Sequence, residues 1–437
     1  MTAVSHKSWL SLGKLVLAAV ACVWAAMLAL ILSHPVFVAH DSINNYGHVW
    51  YVQDRIWHHG VLPFSMPVIG HGHALAFPYG FIPWVTAALL WPVLGSWGVT
   101  LWFVLGTVAL IAATFWAFPE LREGWWPAAV LVNPALLIAP VMGEMPFIWA
   151  IAMLIAAVGC WRRRLFWQAT VLAALGQATH PAVVLPMALL LVAGWWRWEP
   201  DRRRLARHYA ASLPLAVPAA LLVFASPVFA DTSLAVKLLN FFGTLAVRSL
   251  VLLVPILLVV LKERGHRLEF VARRAAWAPS AAFVVLLVLN VALIKPFDAA
   301  HAWPGLLRNP NTQLLKFIHS PGFVPGATYR ILRTGDGRMG MYQLMQHGAR
   351  IDSEFFPESL AQQSWSSPQR YSAFLRKRHV DYVLIFGRYD RARHTNEHDL
   401  LRGLAARGSA GCTAELVGAR RTEAEPDFDV YRIKRSC

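Results

Sequence analysis

Apolar residues in this chain gather into long uncharged runs that recur from Leu15 to about residue 296 and then stop. Leu15 to Leu32 is the first, and a helix of that length covers most of the ~30 Å hydrocarbon core of a bilayer. It is longer than the apolar core of a usual secretory signal and more runs follow it, so it reads as a retained first span. Further runs lie near 78–95, 98–118, 125–142, 147–161, 165–180, 181–196, 209–229, 241–261 and 276–294. Beyond residue 297 the pattern changes to short segments. TYRILR (328–333), DYVLIF (381–386), AELVGA (414–419) and FDVYRI (428–433) predict strands, with helices near 368–379 and 395–407. The chain thus divides into a membrane domain, 1–296, and a small soluble α/β domain, 297–437, of ordinary domain size.

Composition agrees, since 57% of the 437 residues are hydrophobic, 15% are charged and 20 are tryptophan. That is too apolar for one soluble domain. A net charge of +16 would suit nucleic acid, but the basic residues lie between the apolar runs, which excludes that partner class. Arg162, Arg163 and Arg164 form one cluster; Arg197, Arg202, Arg203, Arg204 and Arg207 a second; Lys262, Arg264, Arg267, Arg273 and Arg274 a third. Short loops rich in Lys and Arg stay cytoplasmic, and Lys7 and Lys14 place the N-terminus there as well. The last run then leaves the cytoplasm, so the C-terminal domain is expected outside. Between 78 and 142 three runs appear where parity allows an even number of crossings. The expectation is that 125–142, interrupted by Pro127, Asn133, Pro134 and Pro140, does not span. About nine or ten spans are expected in all.

This orientation puts the loop after the first span, 34–78, on the outer face. Within it Asp41, Asn45, His48, Val52, Arg55 and His59 recur at intervals of three and four, predicting a helix over 41–59 that ends at Gly60. Ile43, Tyr46, Val49, Trp50, Ile56 and Trp57 fill much of the remainder. Such a helix is expected to lie in the interface plane with its polar side toward a cavity among the spans. Three more ionisable groups fall at unusual depths: Glu144 in VMGEMPF, His180 in GQATHP and Arg248 in LAVRSL. Groups at such depths usually face a bundle interior or a wet pathway. Each also has a plainer reading, with Glu144 as a helix cap, His180 as a satisfied interfacial histidine and Arg248 snorkelling to headgroups.

A first span, an acidic residue just after it, a juxtamembrane helix, the turn Gly60-Val61-Leu62-Pro63 and the entry FPYGFIPW (77–84) together resemble the C-type glycosyltransferase superfamily. The Asp41 to His48 spacing is most similar to a less characterised bacterial branch with a trailing outer domain. The resemblance implies a polytopic helical bundle in the bacterial inner membrane. It also implies transfer of a sugar from a polyprenyl-phosphate donor to an envelope glycan, lipid or protein acceptor on the extracytoplasmic face. On that reading Asp41 is the base and Glu144 a second catalytic carboxylate that holds the acceptor or a divalent cation. His48, Arg55, His59, His180 and Arg248 bind substrate, the cations stabilising the departing phosphate. Where many members carry adjacent acidic residues, this chain has His40 and Asp41. His71 and His73 have no cysteine or close carboxylate in sequence, so no structural zinc site is expected.

The alternative is a non-catalytic scaffold or transporter in envelope polysaccharide assembly, although no internal repeat of the kind transporters carry is present. Cys22 and Cys160 fall in spans as packing residues, while Cys412 and Cys437 lie in the tail and are expected to pair in an oxidising compartment.

Overall fold

The computed structural model describes residues 6–37, 42–69, 80–133, 136, 137, 139, 140, 143–196, 199–224, 256, 284–286, 288, 312–332, 337–352, 365–386, 395–422 and 425–435. The chain forms two compact units. The first holds Met1–Asn45, Ala76–Ala225 and Ser233–Leu307; the second holds Tyr46–Leu75, Ser226–Thr232 and Arg308–Cys437. The second unit thus takes in the tail together with most of the loop after the first span.

The helices of the first unit are α1 (His6–Ile31), the start of α2 (Ser42–His59), α3 (Phe81–Leu94), α4 (Ser96–Ala117), α5 (Trp126–Leu131), α6 (Met145–Arg162), α7 (Phe166–Thr179), α8 (Pro181–Trp195) and α9 (Arg202–Phe224). Among the described residues, Gly13–Ile31, Ser96–Ala117 and Met145–Arg162 are long and apolar enough to cross a membrane, and Ile82–Leu94 and Val183–Trp195 are shorter apolar helices. The first unit is a membrane-embedded helical bundle.

Side-chain contacts fix which helix ends lie together. At one end Gly13 of α1 sits so close to Trp125 that a Cβ there would lie 2.8 Å from the indole nitrogen. Arg162, closing α6, donates to Ala117 O at the end of α4 (2.6 Å) and pairs with Glu120. At the other end Thr100 Oγ1 donates to Pro35 O (2.8 Å), Phe37 packs on Phe103 at 4.8 Å, and Ser42 Oγ donates to Phe37 O (2.7 Å). α4 and α6 therefore run parallel, with Trp102 and Trp149, each near its helix start, stacked at 4.7 Å.

Two parallel helices in sequence require the chain between them to return across the bundle. The described residues of that return begin with α5 beside Gly13, pass Leu131, whose O accepts from Trp24 Nε1 of α1 (3.0 Å), and end with Gly143 against Ser42. The described parts of 125–142 thus run from one end of the bundle to the other, where the sequence reading expected no crossing. Both ends of α3 lie toward the Pro35 end of α4, because Trp84 bonds Asn45 (3.0 Å) while α3 turns through Gly95 into α4, whose Thr100 is held at Pro35. Prolines misdirected the sequence reading. A broken helix crosses where neighbouring protein covers its backbone, and Ala128, Val130 and Asn133 are buried.

α2 matches its predicted span but not its predicted setting. Ser42 through Val49 are buried all round, and exposure begins only near Trp57, His58 and His59. Its first half is a core helix rather than an interfacial one.

The second unit carries a sheet with strand order β2-β1-β3-β5-β4, where β1 (Thr328–Leu332), β2 (Arg350–Ile351) and β3 (Tyr382–Phe386) are parallel and β4 (Cys412–Thr422) and β5 (Glu425–Arg435) complete it antiparallel. Around it lie α10 (Thr312–Ile318), α11 (Gly337–Gln346), α12 (Pro368–Lys377) and α13 (Glu397–Arg407). Tyr371 and Leu375 of α12 and Leu401 and Leu404 of α13 pack with Val383, Ile385 and Tyr431 of the sheet. The loop after the first span belongs to this unit through Tyr46, whose ring lies 6.0 Å from Tyr342, and through Val68 O, which accepts from Ile351 N at 2.7 Å. Cys412 is disulfide-bonded and Cys22 and Cys160 are free; Cys437, the expected partner, lies outside the described residues.

Candidate active site

The start of α2 is clamped to two other elements of the first unit. Asn45 Nδ2 donates to Gly143 O (2.9 Å), and Asn45 Oδ1 accepts from the Trp84 indole of α3 (3.0 Å). Gly143 has φ +78°, and a Cβ on it would fall 2.4 Å from Ser42 N, so only glycine permits this approach. Glu144 follows at once as the residue before α6, its backbone N–H on Ala139 O (3.1 Å) and its C=O accepting from Ile148 N (3.0 Å). Glu144 stands at the N-cap position of α6, and its side chain makes no cap bond there. A helix start carries a partial positive charge, and Glu144 stands beside it.

His180 joins the same corner. It is 3% exposed at the bend between α7 and α8, and its ring meets Phe147, one turn into α6, edge to face at 5.7 Å. The neighbouring Thr179 O accepts from Gly80 N (2.7 Å), and Gly80, at φ +68°, lies against the Trp84 ring. The FPYGFIPW entry therefore pins α3 to the His180 bend and to Asn45 together.

Of the expected site residues, Glu144 and His180 are brought together around the start of α2. Asp41 and Arg248 lie outside the described residues, as do His40, His71 and His73. His48 is buried at 6% exposure in the second-unit part of α2. Arg55 and His59 do not share the corner: at 1.5 Å per residue they sit roughly 20 and 25 Å along the helix axis from Ser42. Arg55 Nε instead donates to Tyr51 OH (3.2 Å) with its guanidinium 5.3 Å from that ring, and His59 lies 3.8 Å from Asp54. A common helix face had suggested a common site, but a face can be longer than a site. Trp84 and Gly143 were missed; the only signal for Gly143 was its place directly before Glu144. Among the described residues no group of three His, Cys, Asp or Glu side chains could hold a metal ion, so Glu144 has no described ligand set for a divalent cation.

No protein-family model and no curated protein matches the sequence. Solved structures of C-type glycosyltransferases do show a likeness. Arabinofuranosyltransferase AftD from Mycobacteria is 17% identical at a TM-score of 0.49, over 95% of this chain and 39% of that one. Oligosaccharyltransferase AglB from Archaeoglobus fulgidus, in complex with an inhibitory peptide and a dolichol-phosphate, is 12% identical at 0.47, over 86% of this chain and 69% of that one. ArnT from Cupriavidus metallidurans, bound to undecaprenyl phosphate, is 14% identical at 0.45, over 98% of both chains. The chain spans well under half the length of AftD. Likeness at this level assigns no activity.

Proposed function

We propose that the protein is an integral membrane glycosyltransferase that moves a sugar from a polyprenyl-phosphate donor to an acceptor on the extracytoplasmic face. The observation that carries this reading is the contact of Ser42 with Gly143. Ser42 and Gly143 are the chain neighbours of Asp41 and Glu144. The sequence has His40 beside Asp41, so on this reading Glu144 supplies the second carboxylate.

An acceptor hydroxyl is a poor nucleophile until a placed carboxylate takes its proton, and Asp41 fills that role. Glu144, at the start of α6, orients the acceptor or shares the proton. The departing lipid phosphate gains negative charge, and His180, the α6 N-terminus and Arg248 are the groups to stabilise it.

The test is turnover of radiolabelled polyprenyl-phosphate sugars by membranes carrying the native protein, Asp41→Asn or Glu144→Gln. Loss of a general base removes about 10²- to 10⁴-fold of rate, so both variants should retain the donor and lose product. Equal product from native protein and Asp41→Asn would rule the assignment out.

A further inference from the structure

Two histidines close two helices of the second unit and meet at its surface. His319 follows the last residue of α10, and His347 follows the last residue of α11. Both are exposed, and their rings lie edge to face with centroids 5.5 Å apart and planes at 82°. Each ring is held from behind in the same way. His319 Nδ1 lies 2.7 Å from Leu315 O and His347 Nδ1 lies 2.8 Å from Gln343 O, each carbonyl one helical turn earlier. A carbonyl oxygen accepts and cannot donate, so Nδ1 carries the proton in both rings and the neutral imidazole presents a lone pair at Nε2. Neither Nε2 has a hydrogen-bond partner among the described residues. A backbone carbonyl on the far nitrogen is how metal-ligating histidines are commonly fixed in tautomer and orientation.

The backbone that carries the rings is itself fixed. α11 closes at Gly348, φ +86°, where Gly348 N–H donates to Met345 O (2.9 Å) and Ala349 N–H donates to Leu344 O (3.0 Å). That pair of bonds is a Schellman end. Past α10, Ser320 N–H and Ser320 Oγ both donate to Phe317 O (2.9 and 2.7 Å), and Phe317 is buried with its ring 6.5 Å from Tyr329 of β1. The separation of the rings suits a shared ion. With Zn–N bonds of about 2.0–2.1 Å and a tetrahedral angle, two imidazoles bound through Nε2 have centroids roughly 5 Å apart. The C-terminal end of α11 adds partial negative charge, which favours a cation there.

We propose that His319 and His347 form a binding site for a divalent transition-metal ion of the class that imidazole suits, Zn²⁺ or Cu²⁺, held through both Nε2 atoms with water in the remaining positions. Among the described residues no group of three His, Cys, Asp or Glu side chains could hold a metal ion, so the site is open and exchangeable rather than a closed structural one. The bound ion ties the end of α10 to the end of α11. The pair shares no residue with the corner proposed for sugar transfer.

The experiment uses the full-length protein in detergent micelles, stripped of metal and of any purification tag, with one equivalent of Cu²⁺ added. Pulsed electron paramagnetic resonance should count two imidazoles on the ion in the native protein. His319→Gln and His347→Gln should each leave one imidazole and weaken binding at least tenfold, the least that removing a hydrogen-bond partner behind a ligand costs a metal site. Excess Zn²⁺ should displace the Cu²⁺ and slow amide hydrogen exchange at the ends of α10 and α11 in the native protein, with no such effect in the double variant. His58→Gln, which alters the exposed pair with Asp54, should leave the two-imidazole signal unchanged. Both rings are exposed, so the metal-free variants should melt with the native protein. A two-imidazole signal that survives the double substitution, a native signal of one imidazole or none, or loss of the signal in His58→Gln would each overturn the proposal.

Discussion

The Asn45 amide commits both its polar atoms to other elements, donating to Gly143 O and accepting from Trp84 Nε1. Both partners lie in the interior, Trp84 at 4% exposure. Asn45→Ala strands a buried carbonyl and a buried indole N–H, at about 1–3 kcal/mol each. The melting temperature of the detergent-solubilised protein should fall by several degrees. Gly143→Ala should cost more, since it places a Cβ in the Ser42 backbone and holds a non-glycine residue at positive φ. A Gly143→Ala protein that melts with the native one would show that the clamp is not as described. Asn45 was legible as a polar-face residue because its neighbours on the helix are close in sequence. Gly143 and Trp84 were not, since they lie 98 and 39 residues away and nothing local marks them.

Strand β1 shows how far element patterns reach. All five of its residues are buried, as a central strand predicts, yet the middle one is Arg330, 2% exposed. Its guanidinium meets Asp352 at 3.1 Å and Glu397 at 2.5 Å and lies 4.8 Å from the Phe374 ring; Arg378 reaches Asp352 at 2.7 Å and Trp365 Nε1 donates to Glu397 at 3.2 Å. Burial works to lower the Arg330 pKa, but the Glu397 and Asp352 carboxylates outweigh it and the net shift is upward, so the side chain stays charged. Removing one member of a buried charge network costs about 3–5 kcal/mol. Arg330→Ala should accordingly speed amide hydrogen exchange in β1 and β3 of the full-length protein. Replacing Arg330 and Glu397 together by Met and Gln should restore part of the protection, and no difference between single and double variants would refute the pairing. The strands themselves were readable as short runs rich in β-branched and aromatic residues. β2, at two residues, is too short for any period to register, and α11, with Gly337 and Gly340 in its sequence, forms by burying Met341, Tyr342 and Met345 against local propensity.

At the scale of the molecule, hydropathy located the apolar runs but not which of them crosses. Crossing depends on where a run's ends are held, and those holds are long-range: Gly13 on Trp125, Thr100 on Pro35, Gly143 on Ser42, Arg162 on Ala117. The path of the described residues makes a prediction that separates it from the sequence reading. If 78–95 spanned and 125–142 did not, the α3–α4 turn at Ser96 would lie on the same side as the N-terminus. With 125–143 crossing instead, Ser96 lies at the opposite end from Gly13, and Glu123, two residues before Trp125, lies at the Gly13 end. The arginine clusters lead one to expect the Gly13 end in the cytoplasm. In intact cells expressing a Cys22→Ser, Cys160→Ser protein, Ser96→Cys should therefore react with a membrane-impermeant maleimide, and Glu123→Cys should react only after permeabilisation. Protection of Ser96→Cys with labelling of Glu123→Cys is the pattern the sequence reading gives and would overturn this path. Labelling of both from one side would overturn the path itself, and with it the route by which Gly143 brings Glu144 to the start of α2.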